Sequence, residues 1–126
     1  MDQKVSIVPC LRYRNAKRAI EWLGEAFQFE KHLVVPGEGE VIVHCQLTYR
    51  GVMIMLGSNE SSEFGKLTVL PSEIGNKVTQ APYMVVPDID AHYARAKASG
   101  AVMLIDIKDE DYGGRGYTCQ PGRSYL

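Results

Sequence analysis

The sequence predicts an α+β domain made of two βαβββ-like halves. Three observations carry that expectation: a strand-then-helix pattern that occurs twice, a set of β-rich runs after the first helix separated by tight turn signals, and a polar, aperiodic stretch between the halves. The chain has 126 residues, 45% of them hydrophobic and 23% charged, which suits one globular domain with a real core. A single domain over 1–126 is expected, with module one at about 4–57, a linker at about 58–80 and module two at about 81–126.

The first half opens on Val5 to Tyr13 (VSIVPCLRY), rich in β-formers and read as a strand. Asn15 follows as an N-cap, and Ala16, Ala19, Ile20, Leu23, Ala26 and Phe27 then recur at helical spacing. Glu30 to Val35, Glu40 to Tyr49 and Val52 to Leu56 read as three strands, with Pro36-Gly37 and Arg50-Gly51 as the turns between them. Residues 58–80 break the rhythm with Gly65, Pro71 and Gly75 and serve as a connector. The pattern restarts with a strand at Pro82 to Val86 and a helix from Asp88 or Asp90 to Ser99, closed by Gly100. A strand from Ala101 to Lys108, the loop DEDYGGRG and a short strand at Tyr117 to Gln120 complete it.

Strand alternation separates two kinds of face. In the first strand Val5, Ile7, Pro9 and Leu11 oppose Ser6, Val8, Cys10 and Arg12; in the third, Val41, Val43, Cys45 and Leu47 oppose Ile42, His44, Gln46 and Thr48. The apolar faces suit packing under a helix. Mixed faces turned toward each other would enclose a pocket with apolar walls and a few polar anchors, the usual composition of a small-molecule site.

Charge excludes some partners. With 14 Lys+Arg against 15 Asp+Glu, a net charge of −1 and no long basic run, the chain has no electrostatic footprint for nucleic acid or an anionic membrane. The N-terminus has no signal-peptide apolar region, and the longest apolar run, Val52 to Leu56, is too short to span a bilayer. A cytoplasmic protein is expected. Cys10, Cys45 and Cys119 form no C-x-x-C pair and read as buried free thiols.

The stretches CLRYRNAKRAIEWLGEAFQFEK, HCQLTYRGVMIMLGS, VVPDIDAHYARAKASGA and YGGRGYTCQ, in that order, resemble the strand–helix openings, central strands and late loop of the vicinal oxygen chelate superfamily, the glyoxalase/bleomycin-resistance/extradiol dioxygenase group. The nearest likeness is to glyoxalase-like members with a Tyr-Gly-x-Arg loop. The resemblance implies tandem βαβββ modules and a homodimer that completes the cavities. It also implies a second module truncated at its C-terminal strand, because PGRSYL departs from the D-P-x-G turn, with a frayed edge shielded by another subunit.

Metal-dependent members of the superfamily hold a divalent ion with His and Glu from both modules. Carried over residue by residue, those positions fall at Val8, Gln46 and about Ala81, and the last-strand carboxylate falls in PGRSYL, which has no acid. Val and Ala offer no donor and an uncharged amide is a weak one, so no cofactor and no metal are expected. His44 is the remaining candidate ligand, more simply read as a hydrogen-bonded pocket residue; His92 reads as solvated on its helix.

Other chemistry leaves few traces. Nucleophile-elbow and phosphate-loop patterns are absent, and YGGRG lacks the Lys and following helix of a P-loop. Arg115, between glycines and near Tyr112 and Tyr117, either contacts a ligand from a mobile loop or forms a surface salt bridge. Tyr83 is expected to line the cavity, and Trp22 to sit in the core or a dimer interface. The expected ligand-binding set is Val8, Cys10, His44, Gln46, Tyr83, Arg115 and Tyr117. The function expected is metal-free binding of a small amphipathic or aromatic molecule between concave sheets. The alternatives are a metal-dependent lyase, isomerase or dioxygenase, or a protein that acts through its dimer surface.

Overall fold

A computed structural model describes residues 4–59 and 62–122. Module one comprises β1 (Cys10–Tyr13), α1 (Ala16–Phe27), β2 (Glu30–Pro36), β3 (Ile42–Tyr49) and β4 (Val52–Ser58). They form one sheet in the order β1-β4-β3-β2, antiparallel except for the parallel β1–β4 pair. The helix carries the chain across one face, and two antiparallel steps bring β4 back alongside β1.

Local signals set these boundaries. The Asn15 side chain accepts from the Arg18 N–H at 3.1 Å, capping α1, and Gln28 ends it in the left-handed region with φ 65°. Arg50 and Gly51 both have positive φ between the paired Tyr49 and Val52, the two-residue turn that matches strand twist. Helix α1 buries Ala16, Ala19, Ile20, Trp22, Leu23 and Ala26 against Tyr13, Phe29, Cys45, Leu47 and Leu56. Each fully buried Leu or Ile there contributes about 1.5–3 kcal/mol.

The expected alternation of β3 fails at its start. The β2–β3 register jumps from Val35↔His44 to Pro36↔Ile42, a bulge that leaves Val43 unpaired. Ile42 therefore turns into the core and Val43, expected under the helix, is 45% exposed.

The linker contains two short 3₁₀ turns, Gly65–Leu67 and Pro71–Ile74. Module two has α2 (Ile89–Ala98), β5 (Val102–Asp109) and β6 (Arg115–Gln120), the last two forming an antiparallel hairpin. Asp88 caps α2 through the Ala91 N–H, and Gly100 leaves the helix with φ 89°.

Two expected strands are corrected. Only Cys10–Tyr13 of the 5–13 run is a strand, and Pro82 to Val86 forms none. The reason is pairing: in module one β1 is a strand because β4 lies beside it, and among the described residues no strand follows β6 to do the same for 82–86. Met84 still packs against the core of module one, whereas Tyr83 and Val85 point outward, 87% and 85% exposed. The PGRSYL position expected to hold a carboxylate falls largely on residues 123–126, outside the described residues.

The modules meet through their helices. The Trp22 Nε1–H donates to the Ser99 carbonyl at 2.7 Å, the Arg95 Nε–H donates to the Glu25 carbonyl at 2.7 Å, and Phe27 stacks on His92 at 4.9 Å. Helix α1 packs on α2 within the chain, and the face of the first sheet opposite α1 stays open. Among the described residues no helix is long and apolar enough to cross a membrane.

Candidate functional site

The face of the four-stranded sheet opposite α1 is the candidate site. Register places its side chains: Cys10 pairs with Met55, Met55 with Gln46, Gln46 with Leu33 and His44 with Val35, so these residues share one face. Arg12 follows Cys10 at the two-residue repeat. A cavity of about 220 Å³ lies here, lined by Cys10, Arg12, Val43, His44, Met55 and Phe64 among others.

Polar groups on this face are partly organised. Gln46 Nε2 lies 3.2 Å from His44 Nε2; with the amide donating, the neutral ring carries its proton on Nδ1. The Arg12 guanidinium donates from Nη1 to the Ser58 carbonyl at 3.2 Å and lies 4.9 Å from the Phe64 ring centroid. Cys10 is exposed, contrary to the expectation of three buried thiols, and its Sγ–H reaches the Val8 carbonyl at 3.6 Å. Cys45, on the other face, is buried, and burial raises its pKa while Lys31 pulls the other way.

A second cleft of about 300 Å³ lies at the module junction, lined by Gln28, Tyr49, Arg50, Asp88, His92 and Arg95 among others. His92 is not solvated there. Its Nδ1 meets the Tyr117 hydroxyl at 2.6 Å, its Nε2 is buried without a partner among the described residues, and burial lowers its pKa. Burial also raises the Tyr117 hydroxyl, with the nearby Cys119 adding to it. Packing of α2 on Phe27 is what buries this ring, and no local sequence signal reports it.

The predicted residues thus separate. Cys10 and His44 line the concave pocket, with Gln46 bonded to His44 beside them. Val8 lies half-buried just before β1. Tyr83 stands exposed on the unpaired segment. Arg115 pairs with Asp90 at 3.1 Å and Asp109 at 3.3 Å, and Tyr117 bonds to His92 and meets Tyr93 edge-on, so both pack around α2 rather than into the pocket of module one. Sequence reasoning missed Arg12 and Phe64. Arg12 was already on the mixed face by alternation; Phe64 reaches the site from the aperiodic linker and carries no periodic signal.

A divalent ion, which the fold family implies, does not fit these residues. Val8 has no donor, His44 and Gln46 supply one imidazole and one amide already bonded to each other, and Ala81 is apolar. Among the described residues no group of three or more His, Cys, Asp or Glu side chains is arranged to hold a metal.

No family model matches the chain. Uncharacterized proteins of Mycobacterium bovis and Mycobacterium tuberculosis are 26% identical over 110 residues, 87% of this chain. The match spans 72% of the first and 64% of the second, so the chain covers less than two thirds of the M. tuberculosis protein. Among solved structures, TioX from Micromonospora sp. ML1 superposes with a TM-score of 0.64 at 23% identity, covering 94% of this chain and 91% of that one. The fosfomycin resistance protein FosX from Listeria monocytogenes, solved with Mn(II) and 1S,2S-dihydroxypropylphosphonic acid, superposes with a TM-score of 0.63 at 13% identity, over 98% and 88% of the two chains. A glyoxalase/bleomycin resistance protein/dioxygenase from Nocardioides gives 0.56 at 16% identity, over 96% and 79%. The strand order, the parallel closing pair and these superpositions give this chain the vicinal oxygen chelate fold of the glyoxalase/bleomycin resistance/dioxygenase superfamily.

Proposed function

We propose that this protein binds a small amphipathic or aromatic molecule, without a metal, on the concave face of module one. The carrying observation is the face itself: an apolar floor around Met55 and Val43, with His44 and Arg12 as polar anchors, left open by the helix-mediated junction. Leu33, Val35 and Val43 on or beside this face are 44%, 38% and 45% exposed. A second copy whose β5–β6 hairpin lies over the face would cover them and enclose the cavity, so the binding form is a homodimer.

Against a metal-dependent lyase, isomerase or dioxygenase stands the donor set, which offers neither the charge nor the number of ligands a catalytic ion needs. The fold alone does not carry such an activity across. A thermal-shift screen with planar aromatic and bleomycin-like compounds tests the binding reading. A ligand at about 100 times its dissociation constant adds about 2.7 kcal/mol, a readily measured shift; a panel with no stabilisation refutes sequestration. Light scattering after size exclusion tests the dimer, and a monomeric mass at micromolar concentration refutes it.

A further inference from the structure

We infer that Arg12 is the anion anchor of the concave pocket, and that the natural ligand carries a carboxylate or similar anionic group attached to a planar apolar body. This rests on the binding reading above and narrows it to a ligand class.

The first ground is charge. Arg12 is half-buried in the cavity wall, and among the described residues its interactions are one hydrogen bond to the Ser58 carbonyl and the face of Phe64. None of the ion pairs among the described residues involves it. Arg115, by contrast, is held between two carboxylates on the opposite module. A guanidinium has five N–H donors, so Arg12 keeps several for an incoming acceptor, and a carboxylate is the acceptor its planar fork matches best.

The second ground is space made for it. Arg12 pairs in register with Gly57, and a Cβ at Gly57 would lie 2.8 Å from Arg12 Nη1. The glycine lets the guanidinium lie flat across β4. Phe64 covers it at 4.9 Å and is itself 49% exposed, so the Arg–Phe stack presents an extendable planar edge to the cavity. Next to it, Met55 and Val43 supply apolar surface, and His44 keeps Nδ1 for a polar substituent. An anionic head beside a flat apolar body satisfies both halves of this wall; a cationic ligand would face an uncompensated like charge.

The test uses two shape-matched probes, 2-naphthoate and its neutral amide 2-naphthamide, titrated by calorimetry into the whole protein. Wild type is expected to bind naphthoate about tenfold more tightly than naphthamide, and Arg12→Gln to abolish the difference by lowering naphthoate affinity alone. Arg12→Lys, which keeps the charge but not the fork or the stack, should retain part of the preference. Should Arg12→Gln fold poorly, the wild-type salt dependence decides: naphthoate binding must weaken with added salt while naphthamide binding holds. Equal affinities in wild type and variant, with binding retained, overturn the anchor and leave the pocket intact. No binding of either probe overturns both.

Discussion

Trp22 and Ser99 are joined across the module boundary: the indole N–H of α1 donates to the backbone carbonyl at the C-cap of α2 at 2.7 Å. Trp22 is also 4% exposed and meets Phe27 edge-to-face at 5.1 Å. The bond is part-buried, and the indole serves packing and polar satisfaction together.

Replacing Trp22 separates these contributions. Trp22→Phe removes the donor and is expected to cost about 1–3 kcal/mol, and Trp22→Ala about 3–5 kcal/mol, in urea unfolding. Amide exchange should rise first around Ser99 to Ala101, because Ala101 packs on the same core. Equal stability of wild type and Trp22→Ala would contradict a junction built on the helices.

His92 gives stability a pH dependence. Burial lowers its folded pKa, so the unfolded chain takes up the proton more readily. Its contribution is complete above the unfolded value, about 6.5, and is lost as pH falls through the folded pKa. Urea midpoints at several pH values between 8 and 5 should fall more steeply for wild type than for His92→Gln. Parallel profiles would show that the ring is not desolvated in solution.

Thiol reactivity should divide the cysteines. Cys10 is exposed, Cys45 is buried, and burial raises Cys119 to about 11. An aromatic disulfide reagent is expected to label Cys10 rapidly and the other two only on unfolding. A ligand in the concave pocket should protect Cys10, since it lines that cavity. Rapid labelling of all three would mean the core opens readily.

Metal addition should do little. Ni(II), Zn(II) and Mn(II) are expected to show no stoichiometric uptake by calorimetry and elemental analysis, and His44→Ala should match wild type. Stoichiometric binding lost in His44→Ala would return the metal-dependent reading to first place.

Much of module one was legible because its signals are local. Asn15 caps α1, Arg50-Gly51 turns β3 into β4, and the alternation from His44 to Thr48 separates pocket from core. Asp88 and Gly100 likewise bound α2. What escaped depends on distant partners. Val5 to Pro9 and Pro82 to Val86 have strand composition, but a strand exists only where another lies beside it. Val43 exchanges faces with Ile42 because of a bulge against Pro36, and His92 is packed between the distant Phe27 and Tyr117.

The two-residue repeat that sends Cys45 and Leu47 beneath α1 and sends His44 and Gln46 outward has a use for protein engineering. Positions 10, 12, 44, 46 and 55 form a palette that can be randomised together while the residues beneath the helix stay fixed. A library at those five sites should retain folded members at high frequency, and this sheet can serve as a template for recognising other flat, charged molecules.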